Sequence, residues 1–164
     1  MRYLSEWCTP ERRRLVLVGE QVRETFAKYR QTFSHSAEAG GVLLGKRRGE
    51  HLEITLATEP TIFDRRTRFR FERAAQGHAE AAQLAWLESK GTVDYVGEWH
   101  THPQRQPAPS RIDRFEWSKL TLARPNVDLV VVIVGTESLY LEIISTQGQT
   151  CLVAFDDVSF AYKA

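Results

Sequence analysis

The chain has 164 residues, 42% of them hydrophobic, which is the size and composition of one domain with its own core. Its 22 Lys and Arg nearly cancel its 21 Asp and Glu, which argues against nucleic acid or an anionic membrane as the main partner. Cys8 and Cys151 form no disulfide framework, and no apolar run is typical of a signal peptide or long enough to span a bilayer, so we expect a cytoplasmic protein.

The first third of the chain predicts a strand, a helix and a hairpin. A short strand over residues 14–18 precedes an amphipathic helix whose apolar side chains recur at spacings of four, three and four: Val22, Phe26, Tyr29 and Phe33. Two glycines then open a predicted hairpin over residues 42–56, with Glu38 at its mouth.

The rest of the chain predicts further strands and two more helices. Arginine and phenylalanine alternate over residues 65–73, which predicts one strand, and residues 75–91 follow as a second helix. A third helix is predicted over Ser110–Arg124, and Leu129–Val134 has the β-branched composition of a strand buried on both faces. The remaining predicted strands are Val93–Trp99, Leu139–Ile144 and Cys151–Phe155.

These elements predict a single mixed α/β (α+β) domain over residues 1–164. No repeat, low-complexity tract or long linker divides the chain. We therefore expect a central mixed β-sheet flanked by helices around one core.

Three candidate metal ligands lie close together in the sequence. His100 and His102 stand at positions i and i+2 of a predicted strand, so both imidazoles point to the same face and Thr101 points away. The loop over residues 103–109 is long enough to bring Asp113 back over the strand end. Two nitrogens and one carboxylate, with a fourth position left to water, are typical of catalytic zinc.

Catalysis at such a site needs an unligated carboxylate as the general base for the attacking water. Glu38 is the favoured candidate because of its motif context. Glu98 is a rival, since it shares the strand parity of the histidines at i−2.

Simpler interpretations of the same residues stay open at this stage. Ser110 and Asp113 also fit the start of a helix, as an N-cap and a capping acid. A single His-x-His on a strand is often an ordinary half-exposed pair. The coincidence of both features at a defined spacing favours the metal site.

The spacing resembles that of the JAMM metalloproteases, also called the JAB or MPN domain. The family motif is an upstream Glu, then His-x-His, seven residues, Ser, two residues and Asp, and this sequence agrees at every position. Residues 38–45 also look like the family's strand that carries the catalytic Glu. The resemblance implies a cytidine-deaminase-like fold and one Zn²⁺ per chain held by His100, His102 and Asp113.

The resemblance also implies catalytic functions and a class of substrate. Glu38 would be the general acid/base, and Ser110 would donate a hydrogen bond to the tetrahedral oxyanion. The family cleaves isopeptide or peptide bonds after the tail of a ubiquitin-like protein, held extended in a groove.

A bacterial subgroup is the most similar in length and in the sequence around the histidines. Its members are encoded in cyclic-oligonucleotide antiphage (CBASS) operons and integrative conjugative elements, beside an E1/E2-type conjugating enzyme. The expected partner is a conjugated protein, namely the C-terminal tail of a cGAS-like nucleotidyltransferase. No cofactor besides zinc is expected.

Three other functions remain open: a non-catalytic MPN-type binding module, a peptidase that cleaves sulfur-carrier conjugates, and a nucleic-acid enzyme suggested by the arginine alternation. The arginines of residues 65–73 could bind an acidic partner, although a solvated strand face is the simpler interpretation. His35, His51 and His78 receive no function, since His78 fits a packed core histidine. Trp99 is expected to pack behind the metal.

Overall fold

The computed structural model describes residues 3–156 and contains, within that range, three helices and eleven strands. The helices are α1 (Glu20–Tyr29), α2 (His78–Glu88) and α3 (Arg111–Ala123). The strands are β1 (Glu6–Cys8), β2 (Leu15–Val18), β3 (Gly40–Arg48), β4 (His51–Ala57), β5 (Arg65–Thr67), β6 (Arg70–Glu72), β7 (Asp94–Thr101), β8 (Leu129–Val134), β9 (Leu139–Ser145), β10 (Gly148–Cys151) and β11 (Val153–Ala154).

Nine of these strands form one mixed sheet in the order β10-β9-β8-β7-β3-β4-β2-β1-β11. The pairs β2–β4 and β7–β8 are parallel, and the other pairs are antiparallel. All six residues of β8 are buried, which confirms the predicted central strand. The remaining strands, β5 and β6, form a separate two-stranded hairpin.

The two faces of the sheet carry different helices, as the prediction of a flanked sheet requires. Helix α1 packs Val22 and Phe26 into the larger core on one face. Helix α3 packs Trp117 against Val131 and Ile133 on the other face. Complete burial of a side chain such as Phe26 stabilises the fold by about 1.5–3 kcal/mol.

A glycine allows the close approach of the two strands below the candidate site. A Cβ atom at Gly97 would lie 1.7 Å from the carbonyl oxygen of Val130. Any other residue there would separate β7 from its parallel neighbour β8, so Gly97 fixes the strand that carries the histidines.

Two sequence predictions are wrong, one on where the first helix ends and one on the arginine-rich segment over residues 65–73. Helix α1 ends at Tyr29, and Phe33 lies beyond it with 64% of its surface exposed, because Arg30 already has extended backbone angles. Residues 65–73 form two strands with a turn between them, not one strand.

Two further differences concern the strands at the ends of the chain. The predicted strand over residues 151–155 is divided, since β10 pairs with β9 whereas β11 pairs with β1. Strand β1 was not predicted, because a three-residue strand shows too little periodicity to detect.

Candidate metal centre

The end of β7 brings the two candidate histidine ligands together. His100 is the penultimate residue of β7. His102 extends the strand, since its backbone N–H donates to the carbonyl oxygen of Val134 at 3.0 Å. The two Nε2 atoms lie 3.1 Å apart. Thr101 points to the opposite face, where its hydroxyl accepts the N–H of Ala39, as the strand parity predicts.

Helix α3 brings the third candidate ligand to the same place. Ser110 is the N-cap, and its Oγ accepts the N–H of Asp113 at 3.2 Å while its own N–H donates to Asp113 Oδ2 at 2.6 Å. This capping box fixes the carboxylate, whose oxygens lie 3.1 Å from His100 Nε2 and 3.5 Å from His102 Nε2. The helix-cap and metal-ligand interpretations of Asp113 are therefore compatible.

The spacing of these donor atoms fits a tetrahedral metal ion. Ligand bonds of about 2.0–2.1 Å at tetrahedral angles separate the donor atoms by about 3.3 Å. The 3.1 Å between the two Nε2 atoms is close to that edge length, and each Asp113 oxygen lies near one histidine, Oδ1 at 3.1 Å from His100 and Oδ2 at 3.5 Å from His102. His100, His102 and Asp113 thus form a possible metal-binding group within the described residues.

Burial and neighbouring charges favour the protonation states that bind a metal. Burial, together with His100, lowers the pKa of His102, although Asp113, Gln104 and the backbone of Ala108 act in the opposite direction. A neutral imidazole is the metal-binding form.

Asp113 is held as a carboxylate. Burial alone would raise its pKa, but hydrogen bonding and charge attraction from His100, with the hydrogen bonds from Ser110, lower the pKa well below its usual range. The group is therefore ionised at any pH at which His102 is neutral.

Trp99 supports the centre from behind, as predicted. Its ring is 1% exposed on the opposite face of the sheet and lies 5.1 Å, between centroids, from that of Phe26 in α1. Its Nε1–H donates to the carbonyl oxygen of Thr58 at 3.1 Å. The strand position next to His100 is therefore fixed by packing and by a hydrogen bond.

Glu38 lies two residues before Gly40, the residue of β3 that pairs with His100, and is 6% exposed. Burial raises its pKa to about 7, and Asp113 adds to the rise, while His100 and a hydrogen bond from the Phe71 backbone reduce it. A carboxyl group with this pKa can accept and return a proton near neutral pH.

Glu98, the rival base, is committed to other contacts. Its Oε1 accepts hydrogen bonds from the guanidinium of Arg73 and, at 3.1 Å, from the hydroxyl of Tyr95. Glu98 shares the face of the histidines, but its carboxylate is already bound to Arg73 and Tyr95. Glu38 therefore remains the stronger candidate for the general base.

A groove runs past the triad, with a volume of about 920 Å³. The hairpin β5–β6 forms one wall through Phe69 and Phe71, and α3 forms the other through Ile112 and Leu120. Glu38, His100, His102, Ser110 and Asp113 all line this groove, so the structure brings every predicted site residue together.

Comparison with known proteins agrees with this geometry. The sequence profile described as prokaryotic homologs of the JAB domain matches residues 20–145. The chain belongs to this family. A curated protein of Pseudomonas aeruginosa named CD-NTase/cGAS isopeptidase is 41% identical over 150 residues, which cover 91% of this chain and 95% of that protein.

Other relatives extend this result. A Vibrio cholerae protein with the same name is 36% identical over 127 residues, which cover 77% of this chain and 80% of that protein. The solution structure of a Desulfitobacterium hafniense protein matches with a TM-score of 0.54 at 20% identity. The match covers 83% of this chain and 88% of that chain, and it is evidence for the fold only, not for the function. The predicted resemblance to the JAB family is thus confirmed.

The hairpin arginines of this JAB domain have structural partners that the sequence did not reveal. Arg66 Nε donates to the carbonyl oxygen of Glu38 at 2.7 Å, and the Arg68 guanidinium donates to those of Phe33 and Ser34. The solvated-face interpretation is therefore incomplete, because these two side chains attach the hairpin to the segment before β3.

An ion pair between a partly exposed arginine and a buried glutamate attaches α3 to the sheet of the JAB domain. Arg114, next to Asp113, donates to both carboxylate oxygens of Glu142 at 2.6 and 2.8 Å, and Glu142 is 1% exposed. Tyr140 also bonds to both partners. The pairing was missed because Glu142 lies within an otherwise apolar strand sequence, where a charge predicts no particular partner.

No helix within residues 3–156 is long and apolar enough to cross a membrane.

Proposed function

We propose that this JAB domain is a zinc-dependent isopeptidase or peptidase that releases the C-terminal tail of a cGAS-like nucleotidyltransferase from its conjugates. The observation that carries the proposal is the group of His100, His102 and Asp113, whose donor atoms lie within 4.8 Å of one another and share one open groove with the buried carboxyl group of Glu38. Relatives of similar length named CD-NTase/cGAS isopeptidase support the choice of substrate.

One Zn²⁺ would be held by His100, His102 and Asp113, since the donor set and its spacing fit that ion. When bound, zinc supplies Lewis-acid chemistry: it lowers the pKa of a water molecule and polarises a carbonyl group. The protein's part is to keep the His102 imidazole neutral and the Asp113 carboxylate ionised, as the lowered pKa values of these two groups favour.

Glu38 would act as both base and acid. In the proposed reaction, its carboxylate takes a proton from the attacking water and later delivers that proton to the leaving amine. A raised pKa suits both steps, since a carboxylate with the ordinary value of 4.5 would be a weaker base and would seldom carry the returning proton.

Ser110 would meet the negative charge that develops on the scissile carbonyl oxygen. Its Oγ lines the groove, and in the proposed reaction the hydroxyl turns its proton from the Asp113 carboxylate to the substrate oxygen. Donors placed in advance at a developing oxyanion lower the barrier because they need no reorganisation.

The groove suits an extended peptide more than a compact ligand. Its walls are a two-stranded hairpin and a helix, and an extended tail could lie between them by adding a strand to the hairpin edge. We further propose that the conjugates come from an E1/E2-type enzyme acting in bacterial antiphage defence.

The test is cleavage of a defined conjugate. A CD-NTase fused through its C-terminus to a reporter peptide is incubated with the protein, and mass spectrometry locates the cut. We expect one cut after the CD-NTase C-terminus, abolished by a chelator and restored by zinc. Absence of any chelator-sensitive cut in tail-linked and lysine-linked conjugates would contradict the proposal and favour a binding module.

A further inference from the structure

The hairpin β5–β6 is attached to the main sheet by a buried chain of three polar side chains. His78, the first residue of α2, is 1% exposed. Its Nδ1 lies 2.6 Å from Thr58 Oγ1, and its Nε2 lies 3.0 Å from Asp64 Oδ2. Thr58 Oγ1 in turn accepts the N–H of Val42 in β3 at 2.9 Å. We call Thr58, His78 and Asp64 the clasp.

The partners assign the hydrogen positions in the clasp. An ionised Asp64 accepts only, so His78 donates through Nε2–H and its Nδ1 accepts the Thr58 hydroxyl proton. Both ring nitrogens of His78 then have a hydrogen-bond partner. The side chains of His78 and Asp64 are fully buried, where an unpaired polar group would destabilise the fold.

Asp64 also closes the base of the hairpin. Its Oδ2 accepts the N–H of Thr61 at 2.6 Å, and its Oδ1 accepts the N–H of Ala74 at 2.8 Å. These two residues flank β5 and β6, so one buried carboxylate joins both ends of the segment that forms the groove wall.

The hairpin holds Glu38 by its backbone. The Glu38 N–H donates to Thr67 O at 2.7 Å, and Arg66 Nε donates to Glu38 O at 2.7 Å. The backbone of Phe71 also lies close to the Glu38 carboxylate. The Phe71 ring lies where a Cβ of Gly40 would be, at 2.5 Å, so the hairpin sits directly on the start of β3.

We propose that Asp64 and His78 are positioning residues for Glu38, acting through the hairpin. The inference rests on the proposed peptidase function. The clasp fixes the hairpin to β3 and β4, and the hairpin fixes the general base relative to the triad. The metal ligands belong to the end of β7 and to α3, and the clasp reaches β7 only through the backbone carbonyl of Thr58, which accepts the Trp99 Nε1–H at 3.1 Å. Loss of the Asp64 or His78 side chain leaves that bond in place, so it should impair the proton-transfer step more than metal binding.

The test compares Asp64→Ala and Asp64→Asn with Arg65→Ala as the matched control. Arg65 is the next residue on the same hairpin, with 86% of its side chain exposed and only a 3.7 Å ion pair to Glu72. We expect Asp64→Ala to lower kcat by about 10- to 100-fold with a smaller change in KM, because a misplaced base slows the chemical step. Zinc affinity, measured by competition with a chromogenic chelator, should change less than about twofold.

Trypsin gives a readout that does not depend on activity. The hairpin contains Arg65, Arg66, Arg68 and Arg70, so an opened hairpin is cut faster. Cleavage within it should be about tenfold faster in Asp64→Ala than in wild type or Arg65→Ala, while circular dichroism shows a folded protein. Asp64→Asn, which keeps the volume and one acceptor oxygen, should give an intermediate kcat and intermediate trypsin sensitivity.

The outcomes separate the clasp from the proposed function. Folded Asp64→Ala, or folded Asp64→Asn where the alanine variant does not fold, with wild-type kcat and trypsin resistance would overturn the clasp. His78→Gln should act in the same direction with a smaller effect, and wild-type behaviour there would remove His78 from the proposal. A wild-type protein that cleaves no conjugate refutes the function, while the trypsin comparison still decides the clasp.

Discussion

The two halves of the candidate site are built on different supports. The metal ligands stand on β7, which pairs with β3 and β8 inside the nine-stranded sheet, and on α3, which the pair of Arg114 with the buried Glu142 attaches. Glu38 precedes β3 and is held in addition by a two-stranded hairpin outside that sheet, through the bonds with Thr67 and Arg66. The difference indicates that metal binding relies on the core of the domain, whereas proton transfer relies also on a smaller element outside the main sheet.

Removal of a metal ligand should affect both halves and give the largest effect. We expect His100→Ala and Asp113→Ala to lose bound zinc and to slow cleavage by about a thousandfold or more, because several kcal/mol of charge stabilisation disappear. Metal content by mass spectrometry and initial rates check this. His35→Ala, an exposed histidine outside the triad, is the control. Stoichiometric zinc in His100→Ala would show that the ligand set is wrong.

Ser110 links the two halves, because it caps α3 and faces the groove. Ser110→Ala should reduce kcat by about 100-fold through loss of an oxyanion donor and lower the unfolding free energy by about 1 kcal/mol through loss of the cap. Ser110→Thr keeps the hydroxyl and should retain most of both. Urea unfolding and single-turnover rates separate the effects, and an unimpaired rate in Ser110→Ala would exclude the oxyanion function.

The pKa of Glu38 predicts the acid limb of the pH profile. The proposed base must be ionised, so a pKa raised from 4.5 to about 7 means that activity is lost as the pH falls through the folded value. A cation bound to the nearby triad lowers this pKa, so the limb should lie between 4.5 and about 7, with about a tenfold loss per pH unit below it. The profile of kcat/KM from pH 4 to pH 9 measures this limb. A value of kcat/KM that does not change with pH over that range would contradict the assignment.

The smallest effect should come from a single bond between the hairpin and the base. Arg66→Ala removes the donor to the Glu38 carbonyl and should lower kcat by about two- to tenfold, the equivalent of one hydrogen bond, with zinc affinity unchanged. Arg65→Ala should leave kcat unchanged. Equal rates in both variants would mean that Arg66 does not help to place Glu38.

The metal half was accessible from the sequence because its information is local. His100 and His102 share one strand, and a single loop leads to Asp113, so spacing and strand parity describe the geometry. β8 was equally readable, because its whole sequence is apolar and β-branched.

The hairpin half was not accessible, for physical reasons that particular residues illustrate. The turn at Arg68 and Phe69 contains no Gly, Pro, Asn or Asp, so the alternation of arginine and phenylalanine continues across it and looks like one strand. The contacts of His78 come from two other segments, and no periodicity relates such positions. Helical spacing likewise placed Phe33 wrongly on the apolar face of α1, because spacing alone could not show that the helix ends at Tyr29.

The measurement that tests the account most directly is made on Glu38→Gln, with zinc content and conjugate cleavage determined on the same preparation. Gln preserves the volume of the side chain but cannot take a proton from water. The account predicts one zinc per chain, as in wild type, with cleavage reduced by about 10²- to 10⁴-fold. Wild-type cleavage by this variant, or loss of its zinc, would contradict the separation of base and metal ligands.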